Sequence, residues 1–159
     1  MPTFFSLAEV LEMAITLEKK GRVYYENIAS RTKDSEMREL FLFLAREEMR
    51  HEERFKALAE KVKASPESLP AKWEEVRPYL QVITDSRFFA GEDKVIRKQE
   101  SAEAVSEIFE YAIRFEKDTI LFYQEIRGLV SVSDQKVVEE IIEEEKSHIR
   151  RLADFSLKY

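Results

Sequence analysis

The sequence predicts an all-α protein, a four-helix bundle built from two helical hairpins joined by a long crossover. Three observations point there. Glycine and proline number only 3 and 4 in 159 residues, too few for a turn-rich β fold. Apolar residues recur every three or four positions in four separate stretches. The second half of the chain repeats the pattern of the first, which implies an internal pseudo-two-fold. Residues 1–159 are read as a single domain, long enough to bury a core.

The first helix is expected over about residues 7–30, opened by the capping-box pair Ser6 and Glu9. Its apolar seam runs Leu7, Leu11, Ala14, Glu18, Gly21, Tyr25, Ile28. A carboxylate in the middle of such a stripe is costly unless it is paired, protonated or bound to a cation. The second helix is expected over about 35–62, capped by Asp34 or Ser35, with the seam Met37, Phe41, Leu44, Glu48, His51, Phe55, Leu58. From about 63 to 100 the pattern breaks at Pro66, Pro70, Pro78 and Gly91. This segment is expected to be the crossover, strapped along the outside of the bundle. A twenty-residue helix is only roughly 30 Å long, which such a segment spans easily.

The third helix is expected over about 102–127, capped by Ser101 and stopped by Gly128. Its seam is Val105, Phe109, Ala112, Glu116, Thr119, Tyr123, Ile126. The fourth, about 134–156 and opened by Asp134, has the seam Val138, Ile141, Glu145, His148, Leu152, Phe155.

The chain has two histidines, and each stands in a Glu-x-x-His unit: Glu48 with His51, and Glu145 with His148. Residues three apart share a helix face, so each pair can reach one point. The repeat carries Glu18, Lys19, Tyr25 and Ile28 onto Glu116, Lys117, Tyr123 and Ile126. It carries Glu47, Glu48, His51 and Arg54 onto Glu144, Glu145, His148 and Arg151. Six groups, Glu18, Glu48, His51, Glu116, Glu145 and His148, are therefore expected in one layer of the bundle. Four carboxylates offset the charge of two divalent ions and can bridge them, and imidazole suits iron or manganese. Buried salt bridges for Glu18 and Glu116 are the alternative, disfavoured by their identical placement in both halves. Glu47 and Glu144 lie about a third of a turn off the seam and read as outer or surface groups.

With these motifs the sequence resembles the ferritin-like di-iron carboxylate superfamily, and within it the rubrerythrin-like branch, over roughly Ser6 to Phe155. The resemblance implies a ferritin-like fold and two iron ions, with di-manganese or a mixed pair as alternatives. It implies that Glu18 and Glu116 are terminal ligands, that Glu48 and Glu145 bridge, and that His51 and His148 each hold one ion. Tyr25 and Tyr123 match tyrosines that hydrogen-bond ligand carboxylates in the family. The implied activity is a non-haem di-iron oxidoreductase that reduces hydrogen peroxide or dioxygen. The chain departs from rubrerythrins in two ways. It has no cysteine, so no rubredoxin-like iron centre, and electrons are expected from a separate donor protein. Thr119 stands where rubrerythrins carry an additional ligand glutamate, with Gly21 as its counterpart, which counts against a redox-linked exchange of glutamate for histidine. Small residues at Gly21 and Thr119 could instead leave a pocket for the oxidant or allow close helix packing. Two further readings are an iron-binding ferroxidase or iron-storage protein, and a degenerate structural bundle without metal.

Composition narrows the partners. A net charge of -6 argues against nucleic acid or an anionic membrane surface as the main partner. Without cysteine, disulfides, zinc ribbons and thiol chemistry are excluded. No uncharged run is long enough to span a bilayer, and the first residues lack the pattern of a secretory signal, so the expected location is cytoplasmic. A homodimer is the expected assembly.

Overall fold

A computed structural model describes residues 6–64, 75, 78 and 102–158. Four long helices account for nearly all of them: α1, Leu7–Arg31; α2, Ser35–Ala64; α3, Ala102–Arg127; and α4, Val132–Ser156. The crossover expected at about 63–100 lies, apart from residues 63, 64, 75 and 78, outside the described residues. Its start shifts because α2 continues to Ala64.

Local chemistry sets the helix ends. The Ser6 hydroxyl accepts the Glu9 amide at 3.2 Å and starts α1. Asp34, rather than Ser35, caps α2: its Oδ1 accepts the amides of Glu36 and Met37 at 2.9 and 3.1 Å. Two expectations need correction. Asp134 does not open α4, which begins two residues earlier at Val132 after the N-cap Ser131. Asp134 is buried in the first turn, where it accepts from Ser131 Oγ at 2.8 Å and from Lys61 Nζ of α2 at 2.6 Å. Gly128 follows α3 as expected but has no positive φ. The helix instead tightens into i→i+3 bonds, Gly128 to Glu125 at 3.2 Å and Leu129 to Ile126 at 2.9 Å.

The short connections after Arg31 and Arg127 fold α1 onto α2 and α3 onto α4. Across the bundle α1 faces α3 and α2 faces α4. Both crossings are antiparallel: on α1–α3, Tyr25 meets Glu116 while Tyr123 meets Glu18; on α2–α4, Lys61 meets Asp134 while His51 meets Glu145. That order places the repeated seams opposite one another.

The apolar interior divides in two. One cluster includes Leu11, Ala14, Phe55, Tyr123 and Ile141. The other includes Tyr25, Phe41, Leu44, Phe109 and Leu152. Between them, fully enclosed, lies a layer of carboxylates and imidazoles. Burying such a layer opposes folding unless its charges are balanced, whereas the flanking clusters stabilise by roughly 25 cal/mol per Å² of apolar surface removed from water. Among the described residues, no helix is long and apolar enough to cross a membrane.

Candidate metal centre

The six expected residues come together. Glu18, Glu48, His51, Glu116, Glu145 and His148 are all at most 2% exposed. They form two overlapping groups: Glu18, Glu48, His51 and Glu145, and Glu48, Glu116, Glu145 and His148. Within each group the candidate ligand atoms lie within 4.8 Å of one another. Glu48 and Glu145 belong to both, while each group has its own glutamate and its own histidine. Glu145 shows the sharing directly. Its Oε1 is 3.0 Å from His51 Nδ1 and its Oε2 is 2.9 Å from His148 Nδ1. The two imidazoles stack with ring centroids 5.6 Å apart.

The glutamates of α1 and α3 are steadied by tyrosines from the opposite helix. The Tyr25 hydroxyl donates to Glu116 Oε1 at 2.5 Å, and the Tyr123 hydroxyl donates to Glu18 Oε1. Each tyrosine ring belongs to a different apolar cluster, so each cluster reaches into the polar layer through one phenol. The small seam residues are also buried in contact. Thr119 Oγ1 donates back to the Glu116 carbonyl at 2.8 Å. At Gly21 the space a side chain would need is taken: a Cβ there would lie 2.8 Å from Phe115 Cε1 and 3.3 Å from Glu48 Oε2.

The electrostatics of the layer call for positive charge. Two carboxylates 4 Å apart repel by roughly 4 kcal/mol at an effective dielectric of about 20. Burial, with the charges of Glu145 and Glu18, pushes Glu48 well above the usual carboxylate range. Burial and the charges of Glu116 and Glu18 push Glu145 up to about 8. Burial disfavours charge on both imidazoles, but Glu145 and Glu18 outweigh it at His51, and Glu116 and Glu145 raise His148 to about 10. Glu18 Oε2, both oxygens of Glu48 and Glu116 Oε2 are buried and accept no hydrogen bond. Buried, unpartnered carboxylate oxygens are expensive as they stand and are what a hard or borderline divalent cation requires. The donor set therefore fits a pair of such cations.

Two features were not legible in the sequence. His51 also turns its outer nitrogen, Nε2, to Glu144 Oε2 at 2.7 Å. Glu47, His51 and Glu144 thus form a third, half-buried group. It differs from the inner two in holding cations of its own: Arg50 binds both oxygens of Glu47 at 2.9 and 3.0 Å, and Arg54 lies 3.6 Å from Glu144. The repeated Glu-Glu dipeptide marked Glu144 as a candidate outer group without indicating its partner. The second feature is Glu52, buried between Lys19 and Lys56 at 3.8 and 3.9 Å. Its position beside His51 gave no signal, because its counterpart in the second half is Ile149.

A family model for rubrerythrin matches residues 9–155 of this chain. Among solved structures, the chain is similar to a protein of Thermotoga maritima described as a ferritin-like diiron-carboxylate protein. The two share 26% identity over 96% of this chain and 95% of that one, with a TM-score of 0.70. No curated protein matches. The architecture is thus that of a ferritin-like four-helix bundle.

Proposed function

We propose a function from the premise that the chain belongs to the rubrerythrin family: a non-haem di-iron oxidoreductase that reduces hydrogen peroxide or dioxygen. The observation that carries this reading is the pair of four-residue groups sharing Glu48 and Glu145, with four of their buried carboxylate oxygens unpartnered. One position would be held by Glu18 and His51, the other by Glu116 and His148, and both by Glu48 and Glu145. When bound, two ferrous ions supply Lewis acidity and two electrons for the oxidant.

The chain's own residues do the rest. The Tyr25 and Tyr123 hydroxyls each engage one oxygen of Glu116 and Glu18 and leave the other buried without a hydrogen bond. The stacked imidazoles present Nδ1 inward, and both face the shared Glu145 carboxylate. The two apolar clusters close the layer from above and below, which keeps bulk water from the reacting atoms. The 159 residues hold no cysteine and so no thiolate-ligated iron centre, and in this reading the reducing electrons come from a donor outside them. A homodimer in the cytoplasm is part of the same reading.

The test is to load the protein anaerobically with two equivalents of Fe(II) and follow its absorption after addition of hydrogen peroxide. Rapid oxidation that is lost in Glu48→Ala is expected. Sluggish oxidation of a fully loaded wild type would overturn the oxidoreductase reading. Deposition of a ferric mineral, accompanied by a cage-sized assembly, would replace it with iron storage.

A further inference from the structure

We infer that the two metal positions are inequivalent, and that Glu144 is the positioning residue that makes the His51 position the tighter of the two. This rests on the metal reading above and concerns how that centre is held. Within the layer the two halves match, residue for residue. Outside it they do not.

On the first side, His51 turns Nδ1 inward, 3.0 Å from Glu145 and 3.6 Å from Glu18, and Nε2 outward to Glu144 at 2.7 Å. An ionised carboxylate can only accept, so Nε2 donates to Glu144, and Nδ1 is the nitrogen left to serve a cation in the layer. Glu144 is itself held: Arg54 lies 3.6 Å from its Oε1 and donates to Glu140 Oε2 at 2.5 Å. The imidazole is thus fixed in orientation, with Nε2–H directed at Glu144, by a chain of groups running across the α2–α4 contact.

The counterparts of Glu144, Arg54 and Glu140 in the other half are Glu47, Arg151 and Phe43. They form a different arrangement. Glu47 pairs with Arg50, one turn along its own helix, and Arg151 lies over the Phe43 ring at 4.4 Å. Phe43 meets His148 edge-on, with ring centroids 6.1 Å apart. Two unrepeated positions account for this. Arg50 has Ser147 as its counterpart, so nothing there draws Glu144 away. Glu140 has Phe43 as its counterpart, so Arg151 is drawn to an aromatic face instead of a carboxylate. A carboxylate behind a ligating histidine raises its basicity and fixes its ring, and removing one typically costs about 10–100-fold in metal affinity.

Anaerobic titration of the full chain with Co(II), read by its d–d absorption and by calorimetry, tests this. The wild type is expected to bind two ions in unequal steps. At one equivalent, anomalous scattering in a crystal should place the ion beside His51. Glu144→Ala should weaken the first step by about 10–100-fold while sparing the second. Glu144→Gln, which keeps an oxygen to accept from Nε2, should recover most of that loss, and Glu47→Ala, whose carboxylate pairs with Arg50, should weaken the first step less than Glu144→Ala does. Thermal melts of each metal-free variant check folding, and the position of the first ion in the wild-type crystal carries the test if the alanine variant is unfolded, an ion beside His148 overturning the inference. Two identical steps in the wild type, equal weakening of both ions in Glu144→Ala, or an equal effect from Glu47→Ala would overturn the inference while leaving the metal centre standing. Failure of the wild type to bind Co(II) would overturn both.

Discussion

Tyr25 and Tyr24 are neighbours on α1, both buried, and both donate a hydroxyl across to α3. They differ in what they donate to. Tyr24 reaches the Ile108 carbonyl at 3.2 Å, a neutral acceptor, whereas Tyr25 reaches the Glu116 carboxylate at 2.5 Å. Replacing each by phenylalanine keeps the ring and its packing and removes only the hydroxyl. A hydrogen bond to a neutral group contributes about 0.5–1.5 kcal/mol and one to a charged group about 1.5–3 kcal/mol. The Tyr25 deletion also leaves Glu116 without its donor, when its other oxygen already has none. Tyr25→Phe should therefore destabilise the metal-free protein by about 1.5–3 kcal/mol and Tyr24→Phe by about half as much. For a domain of this size 1 kcal/mol moves Tm by about 2–4 °C, so the Tyr25 variant should melt about 3–12 °C lower.

Urea denaturation and thermal melts of the two variants, side by side, measure the difference. A Tyr25→Phe loss no greater than that of Tyr24→Phe would refute the reasoning. It would mean that the Glu116 contact contributes nothing beyond ordinary burial of a phenol. The metal-loaded proteins extend the comparison: Tyr25→Phe should loosen the ion held by Glu116, and Tyr24→Phe should not.

Gly21→Ala gains about 1 kcal/mol of helix propensity but drives a Cβ to 2.8 Å from Phe115, an overpacking cost of about 1–3 kcal/mol. A net loss of roughly 0–2 kcal/mol in denaturant is expected, with weaker Co(II) binding because Glu48 Oε2 also lies 3.3 Å from the new atom. A variant more stable than the wild type would show that the Phe115 ring moves aside freely. Asp34→Ala removes the acceptor for two α2 amides and should cost about 1 kcal/mol, measured the same way; no change would mean that water satisfies those amides equally well. The metal-free protein should lose stability as pH rises. Glu145 is raised from 4.5 to about 8, so the folded form binds the extra proton across that interval and its advantage disappears toward pH 8. His148, raised from 6.5 to about 10, contributes stability that is complete below its unfolded value and lost as pH climbs toward 10. Melting temperatures from pH 5 to 9 should therefore fall without metal and fall less, or rise, with Co(II), whose binding displaces those protons; parallel profiles would contradict this.

The centre was legible because it breaks a rule. Carboxylates and histidines on apolar stripes cannot be accounted for by patterning, and each of the six such residues turned up in the buried layer. The capping residues Ser6 and Asp34 were legible for a related reason, since their partners lie two or three residues away. What escaped the sequence depends on distances between helices. Asp134 looks like a helix opener until Lys61, from the other hairpin, is placed 2.6 Å from it. Gly21 suggests open space until Phe115 is seen to fill it.

The repeat itself hid the most. A duplicated motif carries no information about how its two copies differ, and the glutamates and histidines of the layer are duplicated throughout. The differences reside in residues that supply no ligand atom to the layer: Arg50 against Ser147, and Phe43 against Glu140. These lie on faces where either residue type is compatible with a helix, so local pattern sets no preference between them. Only when α4 is laid against α2 does Glu140 fix Arg54, and does Glu144 remain for His51. A redox centre whose two ions are held alike gives up its first and second electrons from equivalent sites. One whose histidines are backed differently starts with a preferred site, and that preference is set by residues that no ligand motif would mark.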